Sequence, residues 1–202
     1  MSIEVNPHLN HKKTSHTCAA ASLTGHASNV TGAAWTITTA AAGDGLAHLV
    51  TIKNDSVTDH SLKTIVLVGK DLIGNALTET LAAPGTSATV TSTKYFASLT
   101  SATPSATIGA DTFDIGWSAV AVSPWLAAAS SVSSVAVTVG GTINFDVQQA
   151  FDTDFNGVVG VQHASIAGKT ADTYSALTIP VAGARVKVNS HTSGTFVLHL
   201  LS

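Results

Sequence analysis

The chain has 202 residues with charged side chains at only 10%, hydrophobics at 45% and a formal net charge of −3. A globular chain ordinarily carries charge on about a quarter of its residues, so neutral Thr and Ser must cover much of this surface. The nine Lys and Arg are scattered apart from Lys12-Lys13, which argues against nucleic acid as a partner, because phosphate binding needs clustered cations.

Cys18 is the only cysteine, so no intramolecular disulfide forms. The apolar patch Cys18 to Ala21 is too short and too polar-flanked for a signal peptide, and no run approaches the roughly 18 apolar residues of a membrane helix. A cytoplasmically made protein with no membrane partner is expected. The abundance of Thr, Val, Ala and Gly, with 5% aromatics, predicts an all-β fold rich in tight turns.

In chain order, residues 1–30 predict an extended N-terminal arm, polar and histidine-bearing with no sustained periodicity. A first β-sandwich domain is expected over 31–122. In it Leu46, His48, Val50 and Ile52 alternate with their neighbours, Leu62 to Val68 is a near-continuous apolar strand, and Gly74-Asn75 turns the chain into Thr78 to Leu81. Pro84-Gly85 breaks it again. Ala88 to Thr91, Lys94 to Leu99 and Asp111 to Trp117 follow, the last with Phe113, Ile115 and Trp117 on one face. The total is close to the roughly seven strands of one sandwich.

Residues 123–134 read as a linker or short helical turn, and 135–202 as a second, smaller sandwich. There Val135, Val137 and Val139 form one face, Gly140-Gly141 predicts a turn, and Ile143, Phe145, Val147, Gln149 and Phe151 form the next strand. Val186 and Val188 point inward from another, and Ser193-Gly194 predicts a hairpin into Phe196 to Leu201.

The stretch from Ile65 to Trp117 places IVLVGK, a Gly74-Asn75 turn, Thr78-Glu79-Thr80, a Gly/Thr loop and Ser92-Thr93-Lys94-Tyr95-Phe96 in succession. That order resembles a module of tailed-bacteriophage virion structural proteins. The later segments GTINFDVQQAFD (141–152) and PVAGARVKVN (180–189), with a Gly turn closing the chain, resemble a second such element, although the variable loop between them lacks the expected aromatic residue. The resemblance implies a capsid decoration or cement protein, made of β-sandwich modules, residing in the virion after assembly in the host cytoplasm. Its implied partners are the major capsid protein and further copies of itself. A neck, tail or fibre component is the alternative within that setting, and a carbohydrate-binding module using exposed Trp or Tyr174 is the alternative outside it.

No grouping in the sequence predicts catalysis, a cofactor or a metal, and an enzyme is not expected. Asp152-Thr153-Asp154-Phe155-Asn156-Gly157 matches half of a calcium loop, but His163 stands where the bidentate Glu belongs, so a turn is expected. His8, His11, His16 and Cys18 match no closed zinc scheme. His48 and His199 lie within strands as hydrogen-bonded core or interface residues. G-x-S-x-G is absent, and Asp111 and Asp114 fall on opposite faces, away from any shared acid/base role. Asn29-Val30-Thr31 and Asn54-Asp55-Ser56 satisfy the glycosylation pattern incidentally.

Overall fold

A computed structural model describes residues 11–128, 134–156, 160–177 and 181–201. The described residues are all-β, with no helix. The strands are β1 (His11–Thr17), β2 (Ser22–Val30), β3 (Ala47–Asn54), β4 (Thr64–Lys70), β5 (Ala76–Ala82), β6 (Thr89–Phe96), β7 (Ser98–Pro104), β8 (Phe113–Val122), β9 (Leu126–Ala127), β10 (Ser134–Ala150), β11 (Val161–Gln162), β12 (Thr173–Ala176) and β13 (Gly183–Leu201). They fall into two compact units. One is contiguous, Ala19–Ser123, and the other joins Met1–Cys18 to Pro124–Ser202.

In the contiguous unit, β8 lies between β2 and β3, and β3 pairs on its other side with β6, all antiparallel. A separate three-stranded sheet has β4 between β5 and β7. The two sheets share one core. Val50 and Ile52 of β3 with Phe113 and Ile115 of β8 meet Ile65 and Leu67 of β4 and Leu99 and Ala102 of β7, and Trp35 packs among them. Period-two alternation puts the β4 pair on one face, and its burial drives the association of the layers. β3 is buried along nearly its whole length because it is flanked on both sides.

The other unit is built on the long pair β10–β13, with β11 and β12 along the free side of β10 and β1 and β9 along the free side of β13. Val135, Val137, Ile143, Phe145 and Val147 of β10 are fully buried, as are Val186, Val188, Phe196 and Leu198 of β13. Two register shifts, at Thr142/Ile143 and Asn144/Phe145, each leave one extra residue in β13. One extra residue would turn every later side chain to the wrong face; two restore the parity, so the even-numbered apolar residues of β13 point inward before and after the irregularity.

Three expectations are corrected here. The predicted arm is not an arm over 11–30: residues 11–17 are the edge strand β1 on β13, and 22–30 are β2 on β8. An edge strand needs only backbone pairing and presents little apolar alternation, which is why its sequence resembles an arm; residues 1–10 lie outside the described residues. The predicted linker contains β9, paired with Gly183 and Ala184. The turns expected at Gly140-Gly141 and Ser193-Gly194 are absent, because both dipeptides lie inside continuous strands, where Gly141 faces Gly194.

Candidate functional site

The histidines and carboxylates of the contiguous unit are tied into separate hydrogen-bond sets. Asp44 accepts from the Ala19 and Leu46 N–H groups at 2.8 and 3.0 Å and from His48 Nε2 at 2.9 Å. His48 Nδ1 lies 2.9 Å from the Ser118 carbonyl. Both ring nitrogens therefore face oxygen acceptors, and the ring is held between Asp44 and the Ser118 carbonyl. Burial raises Asp44, but the bonds from His48, Ala19 and Leu46 and the His48 charge outweigh it and hold the carboxyl at about 2.

His60 is held between a donor and an acceptor. Lys63 Nζ donates to its Nδ1 at 2.9 Å, so Nε2 carries the proton and donates to Asp111 Oδ2 at 2.8 Å. The His60 bond, foremost among several, lowers the Asp111 carboxyl. Asp114 belongs to a different set: its Oδ1 accepts from the Asn29 N–H at 3.0 Å, and Lys53 pairs with the neighbouring Asp55. Burial raises Asp114, and Asp55 adds to this against the Asn29 bond. Asp111 and Asp114 thus have separate partners.

The tryptophans are engaged rather than presented. Trp35 is buried against Phe113. Trp117 donates Nε1–H to the Ala20 carbonyl at 2.9 Å, meets His26 edge-on at 5.0 Å between ring centroids, and lies so close over Gly25 that a Cβ there would be 2.3 Å from the ring. Burial lowers His26, whose Nδ1 faces the Thr39 carbonyl at 2.7 Å. In the other unit Trp125 stacks on Phe155 at 5.7 Å with Arg185 4.4 Å over its ring, and Arg185 Nε donates to Gln148 Oε1 at 2.7 Å. Phe155 and Arg185 carried no sequence signal, since nothing local shows that Trp125 will reach them.

Asp152 Oδ1 accepts from the Asp154 N–H at 3.3 Å and Asp154 Oδ1 from the Asn156 N–H at 2.9 Å, two successive Asx turns with exposed carboxylates. Gly157 lies outside the described residues, as does His8. His11 pairs with His199, His16 with Thr14, and Cys18 is buried. Among the described residues no three His, Cys, Asp or Glu converge as a metal-holding group. Asn29 is exposed in left-handed backbone, φ 52°, while Asn54 is wholly buried and bonded to the Thr58 and Gly85 carbonyls.

What the surface offers is apolar and neutral. Val57 and Leu62 are 84% and 101% exposed on the loop between β3 and β4, and Tyr174 is 86% exposed on β12. That loop is held firmly. Asn54 binds it from within, Ser56 accepts at its carbonyl from the Ser87 N–H, and Thr86 Oγ1 donates to the Val57 carbonyl. Phe151, just after β10, and Val161 of β11 are each about half exposed. Such side chains on ordered backbone bind other proteins at low entropic cost.

Glu79, read in the sequence only as the centre of the Thr78-Glu79-Thr80 strand, has partners in β6. From β5 its Oε1 accepts from the Thr93 N–H and hydroxyl, both at 2.8 Å, and its Oε2 accepts from the Lys94 N–H at 2.9 Å, while Lys94 Nζ donates to the Thr78 carbonyl at 2.8 Å. The Thr-Glu-Thr and Ser-Thr-Lys runs are thereby clasped edge to edge across the two sheets of their unit. No protein-family model, curated protein or solved structure matches the chain.

Proposed function

We propose that the chain is a structural protein of a tailed-phage virion, specifically a capsid decoration or cement protein that binds the assembled shell. The observation carrying this reading is the surface: one residue in ten is charged, and Val57, Leu62 and Tyr174 stand almost fully exposed. A dispersed monomer is ordinarily kept soluble by charge, whereas neutral Thr/Ser/Ala surface with ordered apolar side chains suits burial between chains. The resemblance of residues 65–117, and of 141–152 with 180–189, to virion modules points the same way, although the closing Gly-turn hairpin of the second element is replaced by the continuous strand β13. In this reading each unit is a sandwich-type module. The shared core of the two sheets in 19–123 supports that architecture, and the isolated fragment 19–123 is expected to unfold cooperatively; a molten fragment would contradict it.

Cement action is mass action. A protein that binds the closed shell and not its free subunits shifts the equilibrium toward the shell, by an amount set by its concentration over its Kd. The partners are the major capsid protein and other copies of this chain. Particles made without the chain should release DNA at a lower temperature, and adding the purified protein back should restore the wild-type value. Identical release temperatures with and without it would overturn the cement role.

A carbohydrate-binding module is the second reading, favoured by Tyr174 alone, whose exposed ring is of the kind that stacks on a sugar. Glycan-array binding that is lost in Tyr174→Ala would support it over the first.

A further inference from the structure

β1 pairs with β13 from His11↔Leu201 to Thr17↔Thr195. Residues directly opposite in an antiparallel pair share a face. His11, Lys13, Ser15 and Thr17 therefore lie with Thr195, Val197, His199 and Leu201 on one face, and Lys12, Thr14 and His16 with Phe196, Leu198 and Leu200 on the other. On the first face His11 Nε2 and His199 Nδ1 are 2.8 Å apart, and the rings are stacked at 5.1 Å and 10°.

A hydrogen bond between two imidazoles needs one N–H and one lone pair. The pair accepts one extra proton and keeps its bond; a second removes the acceptor and leaves two cations in contact. Among the described residues no carboxylate faces them. Lys13 lies opposite His199, Lys12 adds charge from the other face, where His16 also lies, β10 contributes Ala136 opposite His199, and β12 contributes Tyr174 opposite Ala136. No Asp or Glu occurs in β1, β12 or the facing parts of β10 and β13, and Asp172, just before β12, is bonded to the Val139 N–H.

On the other face of β1 the His16 ring lies 5.5 Å from that of Phe196. The side chains of β1 are mostly exposed, and its other tethers beyond the backbone ladder include Lys12 Nζ to the Ala127 carbonyl, the Thr17 and Thr195 hydroxyls, and the Cys18 N–H to the Gly194 carbonyl. We infer that the β1–β13 pairing is an acid-sensitive latch: as the solution falls from neutral to about pH 5, double protonation of His11 and His199 frees β1 before the rest of the protein opens.

The direction of titration agrees. Burial, then His11 and Lys13, hold His199 below its ordinary 6.5, so folding favours the neutral ring. Stability from this site is full above the ordinary value and falls as pH drops through it. Release bares the outer edge of Thr195 to Leu201, a row of backbone donors and acceptors open to another strand.

Residue-resolved hydrogen exchange on the full chain at about pH 7.5 and pH 5, corrected for intrinsic rates, tests the latch. Amides of residues 12–17 should lose protection at least about tenfold at the lower pH, while those of β4 keep theirs. His11→Gln and His199→Gln retain hydrogen-bonding side chains that do not titrate, and in each the extra loss should disappear. Equal protection of residues 12–17 at both pH values would overturn the inference, as would a loss spread evenly over the chain or one that persists in both variants.

Discussion

Gly141 and Gly194 stand directly opposite each other in the β10–β13 pair, both in left-handed backbone, with φ of 100° and 137°. A Cβ on Gly141 would lie 2.6 Å from the Ser193 carbonyl oxygen, and one on Gly194 would lie 2.2 Å from that of Gly140. The two strands approach here more closely than any side chain permits, beside the register shift that lets both inner faces stay apolar.

Gly141→Ala and Gly194→Ala should each therefore cost roughly 2–3 kcal/mol, combining backbone strain with a collision against the facing strand. Gly109, at φ 70° with nothing within 4 Å of a built Cβ, supplies the comparison. Its Ala variant should lose only about 1 kcal/mol. Urea midpoints at unchanged slope give the ordering, and equal losses at all three positions would remove the collision from the account.

Replacing Glu79 by Ala should cost about 1–3 kcal/mol, because the Thr93 and Lys94 N–H groups lose a charged acceptor. Gln should recover part of this through one oxygen, its amide nitrogen facing the Lys94 N–H without a bond to make. Ala and Gln variants of equal stability to wild type would mean that solvent satisfies the β6 edge as well as Glu79 does.

Asp44 gives the acid limb of stability a definite sign. Its carboxyl lies at about 2 in the folded chain against an ordinary 3.8, so its contribution is complete above about pH 4 and is lost as pH falls toward 2. The shift corresponds to about 2 kcal/mol. Asp44→Asn should lose about this much at neutral pH and show a flatter decline between pH 4 and 2, measured by denaturant unfolding across that range. An unchanged acid limb would assign the decline to other carboxylates.

Much of the fold was legible where burial writes a period into the sequence. The alternation from Leu46 to Ile52, the apolar run before Lys70 and the Phe113/Ile115 pair all became core strands. β1 was not legible, since HKKTSHT is held by backbone pairing at a sheet edge and its side chains need not be apolar. Gly140-Gly141 and Ser193-Gly194 misled because a glycine required for a turn and one required for close strand approach look alike along the chain. His48 is the hydrogen-bonded strand residue the sequence suggested, whereas Glu79 and Arg185, not singled out for chemistry there, take their roles from partners distant in sequence. Glu79 did leave a trace, as one of only two glutamates and flanked by threonines in a strand.

Asp152→Asn with Asp154→Asn should leave thermal stability nearly unchanged, with the same midpoint in chelator as without it. Asn keeps the acceptor that each Asx turn uses, and the exposed carboxylates serve only the backbone N–H groups of Asp154 and Asn156. A wild-type midpoint that drops in chelator, and a double variant that no longer responds, would make the segment a cation site.

The virion reading is tested most directly by counting. Quantitative mass spectrometry of purified particles, with the major shell protein as internal standard, should find this chain in the hundreds of copies, since a cement protein repeats with the shell lattice. About a dozen copies would move it to the neck or tail, where rings of low order are built. Its absence from purified particles would contradict a structural role in the virion altogether.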